Sequence, residues 1–294
     1  MTRAGQNDII KNSIQHPKGE ENEHKRKNGE LAVIYIGQAG FIISDGTVSV
    51  AVDPYLSYSV DLAIETGDGK WMRLYAPPVM PDELSFLDFV FISHDHLDHA
   101  DPETISGIAA VSDARFVSGK AISGKISSYA GRDSVALGCK KVRDFGSFRV
   151  SALPAAHEEV HMKDGESEEC GFLFDFGGIK IYHSGDSLVY DGLCDSVRGS
   201  DVMLLPVNGN GFYRREDGIV GNMDSFDAAR LALDCGTGLL IPMHFDLYRG
   251  NSVPESAVRD IISAAAPSVR TVFPKPGEGC RISRGYAGLE VSPL

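Results

Sequence analysis

Basic residues are scarce in this sequence. The 294-residue chain carries 28 Lys+Arg against 41 Asp+Glu, a formal charge of −13 at pH 7. A nucleic-acid sleeve or an anionic-membrane binder needs basic patches, so this balance argues against both. Long apolar runs are absent as well. No uninterrupted stretch approaches the roughly 18–20 apolar residues of a membrane span. The N-terminal stretch MTRAGQNDIIKNSIQHPKGE has no apolar core of signal type. Cysteines are few and unpatterned: Cys139, Cys170, Cys194, Cys235 and Cys280 form an odd set without a CxxC. They read as reduced, mostly buried thiols of a cytoplasmic protein. No GxGxxG or GxxxxGK[ST] marks a nucleotide cradle, and Ser184 and Ser187 lack the G-x-S-x-G setting of a serine nucleophile.

What is present suits a soluble enzyme. A hydrophobic share of 43% can bury a sizeable core without staples. Residues 1–29 are polar and of mixed charge, a leader read as peripheral or disordered, so the folded domain is expected over 30–294. From Leu31 the pattern changes. LAVIYI (31–36), FIIS (41–44) and TVSVAVDP (47–54) are β-rich runs divided by Gly37, Gly40 and the Asp45-Gly46 turn. Residues 55–82 are irregular and hold Trp71, Arg73 and Pro77-Pro78; a loop of that length usually serves function. LDFVFIS (87–93) reads as a fully buried strand. Further strands are FRVSAL (148–153), VMLLPV (202–207) and GLLIPMHF (238–245), and GFLFDF (171–176) and IKIYHS (179–184) make a hairpin across Gly177-Gly178. Helices are expected from the Asp101-Pro102-Glu103-Thr104 start, over 225–234 with its end at Gly236, and from Ser252, where Glu255 completes a capping box. No linker or repeat divides these elements. They predict an α/β domain of layered sheets with helices outside.

The chemistry concentrates in His94-Asp95-His96-Leu97-Asp98-His99, directly after the apolar strand. Side chains two apart on extended chain face the same way, so His94 and His96 can share one ion. Where the chain turns, Asp98 and His99 can point to a neighbouring position. Imidazoles mixed with carboxylates suit a divalent transition ion. His157, Asp186 and His244 each stand just past a strand and supply the donors that a two-ion site still lacks. His183, three residues before Asp186, is expected to orient or hydrogen-bond. The run His157-Glu158-Glu159-Val160-His161 also matches H-E-x-x-H, which would make Glu158 a general base. That motif needs a helix, whereas this one follows Pro154 and runs into KDGESEE, so Glu158, Glu159 and His161 read as a solvated loop near the site.

These motifs resemble the metallo-β-lactamase superfamily over roughly residues 31–290. The cluster matches its HxHxDH motif, with Asp53 at the first motif, His157 at the third, Asp186 at the fourth and His244 at the fifth. The resemblance implies an αββα four-layer sandwich with two metal positions on one edge. His94, His96 and His157 would hold one ion, Asp98, His99 and His244 the other, and Asp186 would bridge them. Asp53 would orient a ligand imidazole through its far nitrogen, and Asp98 would carry the catalytic proton. IGQAGFII, MRLYAPPVMPDEL, YHSGDSLVYDG, LLPVNG and IPMHFDLYRGN are similar to the branch that contains L-ascorbate-6-phosphate lactonase. That likeness implies a homo-oligomeric hydrolase that opens a lactone or similar ester of a small, phosphorylated sugar acid. It would use one or two divalent ions, Mn or Zn, with Fe also suited to the ligands. Arg249, Asn208 and Arg73 are the candidates to meet the anionic substrate. The alternatives are a metal-dependent phosphodiesterase and a non-catalytic metal-binding sensor, and retention of Asp98 speaks against the sensor.

Overall fold

Alternation of apolar side chains along the strands builds the molecule, because successive residues of a strand point to opposite faces. A computed structural model describes residues 29–64, 67–216, 218–286 and 288–294. The leader expected at 1–29 lies, except for Gly29, outside the described residues. One sheet contains β1 (Glu30–Gly37), β2 (Gly40–Ser44), β3 (Ser49–Val52), β4 (Phe89–Ile92), β5 (Arg115–Gly119) and β6 (Val135–Leu137). It is extended by β18 (Gly279–Gly285) and β19 (Gly288–Pro293), in the order β19-β18-β1-β2-β3-β4-β5-β6. The other sheet contains β7 (Val142–Asp144), β8 (Arg149–Pro154), β13 (Cys170–Phe176), β14 (Ile179–His183), β15 (Val202–Pro206), β16 (Leu239–Met243) and β17 (Arg270–Thr271). Its order is β17-β16-β15-β14-β13-β8-β7. Between β8 and β13 lie two short ribbons, β9 (Ala156–His157) with β10 (Glu159–Val160), and β11 (Met162–Lys163) with β12 (Glu166–Ser167).

Val33, Tyr35, Phe91, Phe172, Phe174, Ile181, Leu204 and Ile241 point between the sheets. The ring of Phe91 lies 5.2 Å from Phe172 and 5.0 Å from Phe174, both edge-on. Full burial of one such side chain contributes roughly 1.5–3 kcal/mol. The intervening residues face outward into helices. Ile34, Ile36, Val90 and Ile92 pack on Ile105 and Ile108 of the helix Pro102–Val111 and on Ile126 of Ser123–Ala130. Tyr182, Met203, Leu205 and Leu240 pack on the helices Leu193–Val197, Ser225–Asp234 and Glu255–Ala265. Helix, sheet, sheet, helix is the αββα sandwich that the resemblance implied.

Local signals behaved according to their chemistry. Asp101 caps its helix by accepting from the backbone N–H groups of Glu103 and Thr104. Gly177 and Gly178 take φ of +61° and +104°, the left-handed pair that a two-residue hairpin needs. The last helix departs from expectation: it begins at Glu255 after Pro254, and the Ser252 hydroxyl donates to the Tyr248 carbonyl at 2.6 Å instead of capping. Among the described residues, the irregular stretch 55–82 forms a short helix, Ser59–Ala63, and leads into a 3-10 turn, Pro81–Glu83. The β18–β19 hairpin and its pairing with β1 were not anticipated. All five cysteines are free thiols. No helix among the described residues is long and apolar enough to cross a membrane.

Candidate metal centre

Parallel pairing of β3 with β4 sets Val52 beside Phe91, so the chain leaves both strands at the same edge. Asp53 emerges from β3 with φ +43°, and its amide donates to the Phe91 carbonyl at 2.9 Å. Its carboxylate accepts from the Ser93 amide (2.7 Å), the Ser93 hydroxyl (2.6 Å) and His99 Nδ1 (2.8 Å). That last bond holds Nδ1 towards Asp53 and turns Nε2 towards the inside of the site. The His96 carbonyl accepts from the amides of His99 (3.0 Å) and Ala100 (2.7 Å), folding the loop over before Asp101 starts the helix.

Three groups of donors result, the atoms of each within 4.8 Å of one another: His94, His96 and His157; His94, His99 and Asp186; Asp98, His99 and His244. His157 Nε2 stands 3.1 Å from His96 Nδ1. Asp186 lies between the outer groups, Oδ1 at 3.3 Å from His99 Nε2 and Oδ2 at 3.2 Å from His244 Nε2 and 3.9 Å from His157 Nε2. Asp98 Oδ2 is 3.3 Å from His244 Nε2. The structure thus brings together all seven side chains in which the sequence pattern saw a metal site.

The donors fit a cationic occupant. His94 Nε2 is buried without a hydrogen-bond partner, and His99 Nε2 and Asp186 Oδ1 face each other at 3.3 Å without a well-formed hydrogen bond. Leaving such groups unmet costs roughly 1–3 kcal/mol each, so their common aim at one volume is explained by cations that they could coordinate. Charge follows the same division. Burial pushes the His94 pKa well below its usual value and His157 down to about 4, keeping both imidazoles neutral. Burial also opposes charge on His99 and His244, but carboxylates outweigh it there. Asp186, Asp98 and Asp53 raise His99 well above the ordinary range, and Asp186 and Asp98 raise His244 to about 9. For Asp98 and Asp186 burial disfavours ionisation, and the surrounding imidazoles overcome it and hold both pKa values low. Five imidazoles and two ionised carboxylates form a ligand set for divalent transition ions.

The remaining expected site residues fall into place differently. His183 Nε2 donates to the Ala39 carbonyl at 2.7 Å and Nδ1 accepts from the Gly185 amide at 3.1 Å, so both nitrogens latch loops. Glu158 turns between β9 and β10 with φ +75°, which rules out the helix that H-E-x-x-H requires; His161 faces Glu169 at 3.3 Å. Arg73 is not brought to the centre. Its guanidinium donates to the carbonyls of Ser57 (2.7 Å) and Tyr55 and stacks 4.7 Å over the Tyr55 ring, clasping the 55–82 loop. Arg249 reaches back to the Asp68 carbonyl at 2.7 Å. Asn208 is buried and donates to Asn251 Oδ1 at 3.0 Å. One residue at the centre escaped the sequence reading. Gln38, in the β1–β2 turn, sends Nε2 to 2.6 Å from Asp98 Oδ2 and 3.0 Å from His244 Nε2. The available signal was a glutamine in a Gly-Gln-Ala-Gly turn, where a left-handed residue is most often Gly or Asn. Gln38, Asp53, Glu158 and His244, with φ of +56°, +43°, +75° and +62°, are non-glycine residues in left-handed backbone at or beside the centre. Each costs on the order of 1–2 kcal/mol, a strain typical of functional sites.

A sequence model described as a β-lactamase superfamily domain matches residues 32–244. A UPF0173 metal-dependent hydrolase of Archaeoglobus fulgidus is 24% identical over 262 residues, covering 86% of this chain and all of that protein. One from Alkaliphilus metalliredigens is 28% identical over 227 residues, covering 74% of this chain and 86% of its own. Among solved structures, Igni18, a metallo hydrolase from Ignicoccus hospitalis, superposes with a TM-score of 0.64 at 19% identity, over 86% of this chain and 98% of its own. A possible metal-dependent hydrolase from Veillonella parvula gives 0.67 at 17% identity, over 85% and 98%. These structural likenesses concern the fold. The family match, which spans most of the chain, places the protein in the metallo-β-lactamase superfamily, as a metal-dependent hydrolase.

Proposed function

We propose that the protein hydrolyses a carboxyl ester or lactone of a small sugar acid, with Asp98 as the group that moves the proton. His94, His96 and His157 would hold one divalent ion, Asp98, His99 and His244 a second, with Asp186 between them. Bound ions of this kind supply Lewis-acid polarisation and a nucleophile at neutral pH. The carrying observation is the difference in exposure between the two carboxylates. The Asp98 side chain is 21% exposed and Asp186 only 4%, so Asp98 meets the substrate side while Asp186 stays inside. His99 and His244 keep Asp98 ionised against burial, so its carboxylate can take up a proton. It accepts the proton of the attacking water and returns it to the leaving oxygen. For a lactone, the product bears one new carboxylate and one alcohol on the same molecule.

The similarity to the L-ascorbate-6-phosphate lactonase branch supports the carboxyl-ester reading. A phosphate on the substrate has less support, since Arg73 clasps its own loop and Arg249 turns to Asp68. The test is a panel of phosphorylated and phosphate-free lactones with bis-p-nitrophenyl phosphate, assayed with Mn, Zn and Fe. Lactone opening should dominate, and Asp98→Asn should lower kcat by about 10²–10⁴-fold. Turnover of the phosphodiester alone would replace this reading with a phosphodiesterase. No turnover by fully loaded protein would leave a metal sensor.

A further inference from the structure

We propose that Gln38 is an oxygen ligand of the ion position held by Asp98, His99 and His244, and that it biases this position towards Mn over Zn. The inference rests on the two-ion reading above. Gln38 is 2% exposed and gripped by its own backbone. Its carbonyl accepts from the His244 amide at 2.8 Å and from the Tyr35 hydroxyl at 3.2 Å, and its N–H donates to the Tyr75 hydroxyl at 3.4 Å. With φ at +56°, the residue stands where glycine is sterically easier, so the turn gains nothing from a long side chain. That side chain ends at the centre, 2.6 Å from Asp98 Oδ2 and 3.0 Å from His244 Nε2. Those two atoms are themselves 3.3 Å apart, so the amide terminus shares their volume.

The amide here presents Nε2 to the Asp98 carboxylate. An N–H₂ group cannot face a cation. A half-turn about the last side-chain torsion exchanges it for Oε1, a neutral oxygen donor of similar size. The two positions then differ in character. His94, His96 and His157 offer nitrogen, whereas Asp98 and Gln38 add oxygen to His99 and His244. Carboxylate and amide oxygens favour Mn, and imidazole-rich sets favour Zn.

The experiment strips the full chain with chelator and titrates it with Mn(II) alone, followed by electron paramagnetic resonance, and with Zn(II) alone, by competition with a chromophoric chelator. The wild-type chain takes up two ions. In Gln38→Leu, Mn affinity at the weaker position should fall about tenfold or more, with Zn affinity moving by less than about threefold. Gln38→Glu keeps an oxygen and should bind Mn at that position at least as tightly as wild type, which decides the matter if the leucine variant fails to fold. Parallel loss of Mn and Zn, unchanged binding in Gln38→Leu, or weakened Mn binding in Gln38→Glu would overturn the assignment. Two ions in wild type with an unmoved Gln38→Leu would overturn Gln38 alone. A single ion in wild type would overturn the two-ion reading together with it.

Discussion

Asp53 points no free atom at the ion positions, yet it decides which nitrogen of His99 faces them. Replacing it with Ala leaves Nδ1 without its acceptor at 2.8 Å and removes the bond to Ser93, the residue before His94. Metal affinity should fall about 10–100-fold in Asp53→Ala, measured by competition with a chelator, and unchanged affinity would contradict that role. Protonation gives a second test at the same scale. Because the carboxylates hold the pKa of His99 high and that of His244 at about 9, both carry protons at neutral pH that an ion must displace. His157, lowered to about 4, has none to lose. Metal affinity should therefore rise with pH towards 9, and titration calorimetry in buffers of different ionisation enthalpy should show proton release. Identical heats in all buffers would refute it. The metal-free chain has the opposite dependence. A raised His244 pKa stabilises the fold below its unfolded value of about 6.5, and that contribution disappears as pH climbs through about 9.

Among the elements, the helix Pro102–Val111 follows directly on the metal loop, and several bonds converge on its start. Asp101 accepts from the amides of Glu103 and Thr104, from the Thr104 hydroxyl, and from the Ser59 hydroxyl at 2.8 Å. Asp101→Ala should destabilise the fold by about 2 kcal/mol, the upper end for a lost cap, read from the denaturant midpoint at unchanged slope. A change below about 0.5 kcal/mol would show that the cap is not what holds this end. Such elements were legible because their signals are local: a cap residue, a Gly-Gly pair, an apolar run. His94–His99 was legible for the same reason, since four donors crowd into one turn. Ser252 misled because Pro254 starts the helix later and the hydroxyl found a nearer carbonyl. The β18–β19 hairpin is half exposed, so its alternation is weak. Gln38 reaches His244 across 206 residues, a contact that only the closed sandwich creates. Arg73 and Arg249 illustrate the converse: proximity along the chain to a loop or a ligand says nothing about where a long side chain is spent.

At the scale of the whole molecule, the net charge of −13 describes the surface better than the cleft. Asp98 and Asp186 contribute two of the negative charges at the centre, where bound cations would offset them. The sandwich interior is built mainly from aliphatic and aromatic side chains that hold the two sheets together by packing. Removal of metal should therefore leave the far-UV circular dichroism intact, with lowered Tm, and a loss of secondary structure on chelation would show that the ions hold the fold together. Fold, family and side-chain geometry together imply a metal-dependent hydrolytic centre built from the His94–His99 cluster, His157, Asp186 and His244. Its most direct test is reconstitution: chelate the protein, add back Mn or Zn in steps, and measure bound metal and lactone hydrolysis together. The stripped protein should be inactive, and its activity should rise with metal and saturate at two ions per chain. Full activity without metal, or saturation with metal that restores none, would contradict it.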